Sequence, residues 1–132
     1  MEPWREPLGE EELVYRRVPL VYVENGILSH RAFRPTTNDC DGISLVRAAY
    51  TSPEAAARGM TMKPCFLAKM RVRDIRRLGL TVVPDPTHDQ PGHCLVPELS
   101  TSTIEQTRDI QAQLLGTVLE VLGPVTPSLA SG

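Results

Sequence analysis

Short runs of β-branched and apolar residues, each cut off by proline or glycine, set the length of every element this chain can build. In residues 13–23, LVYRRVPLVYV, strand geometry puts Leu13, Tyr15 and Arg17 on one side and Val14, Arg16 and Val18 on the other. Pro19 cannot donate to a ladder, which predicts an edge strand or two short pieces. Asn25-Gly26 marks a tight turn into a further strand over 27–33. Residues 34–42 read as a loop and 42–46 as a short buried strand. Over 51–59, Ser52 is an N-cap, Pro53 suits the first helical position, Glu54 complements the dipole and Gly59 can end a short helix. Strands over 65–72, 80–83 and 93–96 follow, with one or two helical turns over 73–78 stopped by Gly79.

The strongest helical expectation is at the C-terminal end, over 99–123. Ser102 and Glu105 form a capping-box pattern, and Gly123-Pro124 stops the run. Ile110, Leu114, Leu115, Val118, Leu119 and Leu122 give this helix an apolar face wider than one sheet needs. That width predicts a homodimer or protein-partner interface through the helix. The fold class expected is α+β: a small mixed, mostly antiparallel sheet of short strands, two short helices and one long C-terminal helix. The strand–helix–strand run at 65–83 allows one parallel pair. The expected organisation is a flexible acidic arm over 1–12, a core domain over 13–98, the helix over 99–123 and a disordered tail over 124–132. Val14, Val18, Ile43, Leu45, Ala56, Phe66, Ala68, Ile75, Leu78, Leu80, Val82 and Leu95 are the expected core.

With 132 residues, 23% charged and a net charge of −2, the chain fits one globular domain. This balance excludes a basic nucleic-acid arm and a disulfide-dense scaffold. No apolar run approaches membrane-spanning length, and the acidic start lacks the apolar stretch of a secretory signal. Cys40, Cys65 and Cys94 are odd in number and form no CxxC, which predicts reduced thiols and a cytoplasmic location.

Chemical motifs are sparse. The cysteines and histidines lack metal-ligand spacing, so no metal site is expected, and no phosphate-loop or dinucleotide glycine pattern occurs, so no cofactor is expected. Lys69, Arg71, Arg73, Arg76 and Arg77 form a basic cluster that makes nucleic acid a possible but unfavoured partner. The loops 34–42 and 84–92 gather carboxylates and histidines between strands, where sites commonly lie. Any ligand pocket is expected to draw on Arg16, Arg34, Asp39, Asp41, His88 and His93.

The series Tyr15-Arg16-Arg17, Ala32-Phe33-Arg34-Pro35, Asp41-Gly42-Ile43-Ser44-Leu45, Ser52-Pro53-Glu54-Ala55-Ala56 and Pro91-Gly92-His93 resembles a group of small uncharacterised bacterial proteins. The resemblance spans about residues 13–98 and implies a bacterial origin. A fainter similarity is to ADP-ribosyltransferase-like folds. It implies Arg16 as an arginine for a nicotinamide cofactor, Tyr50 as a stacking aromatic and Ser100-Thr101-Ser102 as a strand motif; the paired glutamates of that subclass are absent, Glu105 standing alone. The leading functional expectation is a non-catalytic protein-interaction or accessory module of a bacterial operon, of a partner or immunity type. The alternatives are a small transferase-like enzyme and a nucleic-acid-binding accessory protein.

Overall fold

The structure, a computed structural model, describes residues 2–59 and 62–128. Its strands are β1 (Leu13–Pro19), β2 (Val23–Glu24), β3 (Ile27–Leu28), β4 (Ile43–Arg47), β5 (Cys65–Arg71), β6 (Val83–Pro84), β7 (His93–Val96) and β8 (Glu120–Val125). The helices are α1 (Pro53–Ala56), α2 (Val72–Arg76) and α3 (Arg108–Leu115). Six strands form one sheet in the order β6-β7-β4-β1-β5-β8, while β2 and β3 form a separate ribbon. Asn25 and Gly26 both take positive φ, 53° and 77°, the turn that joins two strands of a tight hairpin.

The two faces of the sheet are covered unequally. Val14 and Val18 of β1 point into the main core with Phe33, Ile43, Leu45, Met70, Ile75, Leu99 and Leu114, beneath α2, α3 and the 3-10 turn at His30–Phe33. A smaller cluster of Val46, Ala56, Ala57, Cys65 and Leu67 lies under α1 on the other face. Both faces of β5 are therefore buried, and Leu67 and Ala68 are both sealed from solvent. Most of the expected core is buried; Phe66, Leu78 and Leu95 are only half-buried. Gly42, at φ +135°, lets the chain pass close to β7: a Cβ there would come within 2.6 Å of the Val96 carbonyl oxygen.

The expected α+β class with a long C-terminal helix is not what forms: the described residues build mostly sheet, one six-stranded antiparallel sheet with three short helices. The longest helix is α3, of eight residues, and the chain then returns as the edge strand β8 against β5. Among the described residues all the strand pairs are antiparallel, so the parallel pair allowed at 65–83 is absent, and residues 80–82 carry no strand. Two forces defeat the helical reading. Before α3, threonine hydroxyls bind local carbonyls: Thr103 donates to Glu98 O at 2.8 Å and Thr107 to Thr103 O at 2.7 Å. The capping box is Ser100 with Thr103, opening a 3-10 turn, not Ser102 with Glu105. After Gly116, Thr117–Leu122 is an apolar, partly β-branched run that suits a strand as well as a helix, and pairing with β5 decides between them.

Five of the six residues of the expected interface are thereby spent internally. Leu114 is in the core, while Ile110, Leu115 and Val118 pack against it and Leu122 against the smaller cluster. Leu119 alone of the six is well exposed, at 50%. The tail expected from residue 124 begins inside β8; residues 129–132 lie outside the described part of the chain.

The acidic arm is docked. Leu8 is buried, and the carbonyls of Glu12 and Glu10 accept from Val72 N and Arg73 N at 2.9 Å, satisfying amides at the start of α2. Glu10 pairs with Arg76 and Glu11 with Arg73, at 2.6 and 2.9 Å. The basic cluster seen in the sequence is thus largely neutralised, with Lys69 on Glu120 and Arg77 near Asp74. Among the described residues no helix is long and apolar enough to cross a membrane.

Cys94 and Cys65 are buried and Cys40 is exposed. Burial, chiefly, pushes the Cys94 thiol up to about 12, with Arg47 opposing and Glu12 and Asp85 adding to the rise. An unfolded cysteine ionises near pH 8.5. Folding therefore favours the protonated thiol, and this contribution is whole below about pH 8.5 and lost as pH rises towards the folded value. Above about pH 9 the unfolding free energy of the native chain is expected to fall faster than that of Cys94→Ala, by up to about 1.4 kcal/mol per pH unit, in urea titrations. Parallel pH profiles would contradict this.

Candidate anion-binding cleft

The sheet opens in its middle. β1 pairs with β5 along its whole length, from Leu13↔Arg71 to Pro19↔Cys65. It pairs with β4 only at Val14↔Arg47 and Tyr15↔Val46, after which the two strands part. A split of this kind leaves backbone carbonyls in need of donors. Arg16 caps one of them, its Nη1 donating to Ser44 O on β4 at 3.2 Å, while its Nε donates to Ala32 O in the 3-10 turn at His30–Phe33 at 3.1 Å. The side chain is buried, with a planar fork that meets two carbonyls while keeping its charge. Burial pulls the Arg16 pKa down from its ordinary value; the Asp39 carboxylate opposes this and Arg17 adds to it.

Beside Arg16 lies a cleft of about 330 Å³. Arg17 and Arg58 are on its walls, tied together by a hydrogen bond of 2.5 Å from Arg17 Nη1 to the Arg58 carbonyl. Arg58 donates from Nε to Ala55 O at 3.3 Å and from Nη2 to Asp89 O at 3.4 Å. Asp39, itself buried, staples its loop by accepting from Thr36 N and Thr36 Oγ1 at 2.6 and 2.9 Å. His93 completes the wall. It sits opposite Val46 in the β4–β7 register, and its Nδ1 meets the Asp85 carbonyl at 2.9 Å and the Asp85 carboxylate at 3.1 Å. That contact fixes the ring and leaves Nε2 for other partners.

Three of the arginines that meet no carboxylate among the described residues line this cleft. Arg5, Arg47, Arg71, Arg73, Arg76, Arg77 and Arg108 each meet a carboxylate. Arg16, Arg17 and Arg58 meet none among the described residues; they rest on backbone carbonyls instead. Arg31 and Arg34, also without a carboxylate, are exposed as Arg17 is, but edge a separate depression with His30 and Arg108 that holds no buried arginine.

Of the six residues expected at a site, the structure brings Arg16, Asp39 and His93 to one cleft. It does not bring the others. Arg34 belongs to the depression beside α3, His88 lies exposed beside Tyr50 and Pro91, and Asp41 is exposed in the turn before β4. Arg17 and Arg58 were not expected there. Strand alternation puts Arg17 on the face opposite Arg16, and only the parting of β1 and β4 lets both reach one opening. Arg58 follows α1 and carries no motif.

Tyr50 does not line the cleft. Its ring stands edge-on to Trp4, with centroids 6.3 Å apart, and lies under the Arg47 guanidinium at 5.1 Å. Ser100–Ser102 belongs to the 3-10 turn and its cap, not to a strand. Compared with protein-family models, with curated proteins and with solved structures, the chain shows no match.

Proposed function

We propose that the chain is a binding module that takes a small anionic group, a carboxylate or a phosphate, into the cleft between β1 and β4. One observation carries this reading: Arg16, Arg17 and Arg58 converge on that cleft, and none is paired with a carboxylate among the described residues. A buried guanidinium is costly without a counter-charge. Anchoring on carbonyls fixes each fork and leaves further N–H groups to meet two oxygens of one anion. Arg16 supplies charge at the floor, partly offset by the buried Asp39 carboxylate that holds the neighbouring loop, and the exposed Arg17 and half-buried Arg58 on the walls carry the excess positive charge.

The accessory role expected in a bacterial operon is exercised, in this reading, through the cleft and the anion it recognises. The transferase-like alternative shares Arg16 but has Tyr50 engaged elsewhere. The nucleic-acid alternative draws on a basic face that Glu10 and Glu11 already neutralise.

Calorimetric titration with inorganic phosphate and with acetate tests the reading. Binding is expected to weaken with salt and to drop about tenfold or more in Arg16→Met, the scale of losing one charge-assisted pair. Arg16 is buried and holds two carbonyls, whereas Arg17 is exposed and Arg58 half-buried, so Arg17→Gln with Arg58→Gln provides a variant with less effect on the fold, and the same loss is expected there. Undiminished affinity in the folded variants, or no binding of either anion to the native chain, would overturn the proposal.

A further inference from the structure

The cationic cleft has an apolar continuation. A second hollow, of about 540 Å³, shares Arg17, Pro19, Thr36, Asn38 and Gly59 with it, so the two form one groove. Beyond those shared residues the groove runs along Leu20, Val21, Pro64 and Cys65, with Lys63 at its rim. Its apolar lining is not covered from the described part of the chain: Val21 is 82% exposed and Leu20 43%. The reason is local. Pro19 ends β1, and the chain turns through a 3-10 segment at Leu20–Tyr22 that buries none of its three side chains fully. Two apolar residues are thus held at the mouth of a site whose floor is positively charged.

Resting on the anion-binding reading above, we infer that the ligand is an amphiphilic anion: a carboxylate or phosphate head against Arg16, Arg17 and Arg58, with an unbranched apolar chain lying along Pro19, Leu20, Val21 and Pro64. The charge fixes the head, because Arg16 and Arg58 line only the cationic end and Arg17 stands at the junction, whereas the apolar end has Lys63 alone at its rim. The continuity of the two hollows fixes the direction of the chain. Neither half is specific alone. A short anion leaves Leu20 and Val21 wet, and an uncharged alkyl chain leaves three guanidiniums facing the single Asp39 carboxylate.

The test compares acetate, octanoate, inorganic phosphate, octyl phosphate and octanol, each below its aggregation concentration, by calorimetry on the whole chain. Each methylene laid in the groove is expected to tighten binding about two- to fourfold, the upper figure being full burial. Octanoate should therefore bind at least about tenfold tighter than acetate, and octyl phosphate likewise over phosphate. Octanol should bind far more weakly than either amphiphile. Whichever head binds tighter at equal chain length identifies the source of the anion. Val21→Ser should shrink the chain-length gain, whereas Leu119→Ser, at an exposed apolar position on another part of the surface, should leave it intact. If acetate and phosphate bind and need Arg17 and Arg58 but chain length brings no gain, this inference fails and the anion reading stands. If octanol binds as well as octanoate, this inference fails; if no anion binds at all, both fail.

Discussion

Replacing Arg47 with alanine is expected to lower the unfolding free energy by about 3–5 kcal/mol, the loss typical of breaking a buried ion pair from one side. Arg47 is 3% exposed and uses its whole fork. Nε and Nη2 hold the two oxygens of Glu12 at 2.6 and 3.0 Å, and Nη1 donates to the carbonyls of Glu6 and Trp4 at 2.8 and 3.2 Å. One side chain on β4 thus fastens the N-terminal arm across the sheet, and its face covers Tyr50. Alanine would leave the Glu12 carboxylate half-buried without its partner and release two carbonyls. The arm's contacts to α2 should loosen with it, since Glu10 and Glu12 supply the carbonyls that receive Arg73 N and Val72 N. Urea denaturation checks the magnitude. A double change, Arg47→Met with Glu12→Met, should recover much of the loss, because the cost lies in the stranded charge. A loss below about 1 kcal/mol for the single change, the range of exposed pairs, would show that the arm is not fastened there.

Phe33→Ala is expected to cost about 3–5 kcal/mol as well, by a different route. Phe33 is sealed from solvent and belongs to the main core, at the end of the 3-10 turn packed on α3. Ser29 Oγ accepts from Arg31 N at 3.2 Å and sets the entry of that turn. Truncation leaves a cavity that the rigid turn cannot close. The same turn presents Ala32 O to Arg16 Nε, so the variant should also bind anions less well. Phe33→Leu keeps most of the volume and should cost less than Phe33→Ala in both measurements. Equal stability of Phe33→Ala and the native chain in urea would place Phe33 outside the core.

The parts of the fold legible in the sequence are those settled by neighbouring residues. Ser52-Pro53-Glu54 fixed the start of α1, and Ser52 Oγ accepts from Ala55 N at 3.1 Å as an N-cap should. Asn25-Gly26 placed the hairpin turn, and the β-branched runs placed β1, β4 and β7. The C-terminal third was not legible, because its apolar residues satisfy two periodicities at once. A partner strand far away in sequence chose between them: Leu67 pairs with Leu122 and Ala68 with Val121. The 27–33 segment shows the same limit. Ile27–Leu28 pairs as a strand, but Ser29 then caps a 3-10 turn, which an apolar pattern does not announce.

The cleft was half legible. Arg16 stood out as a charge inside an apolar strand, and Asp39 and His93 lay in or beside strand-connecting loops. Arg17 and Arg58 were hidden, since their meeting depends on where β1 leaves β4, which no local residue encodes.

The most direct measurement of the central claim is a two-dimensional amide and arginine-Nε NMR titration of the whole chain with inorganic phosphate. The account predicts that the Arg16 Nε signal and the amides of Thr36, Ser44 and Arg58 move together, saturably. Movement confined to His30, Arg31 and Arg34, or to the arginines from Arg71 to Arg77, would contradict it.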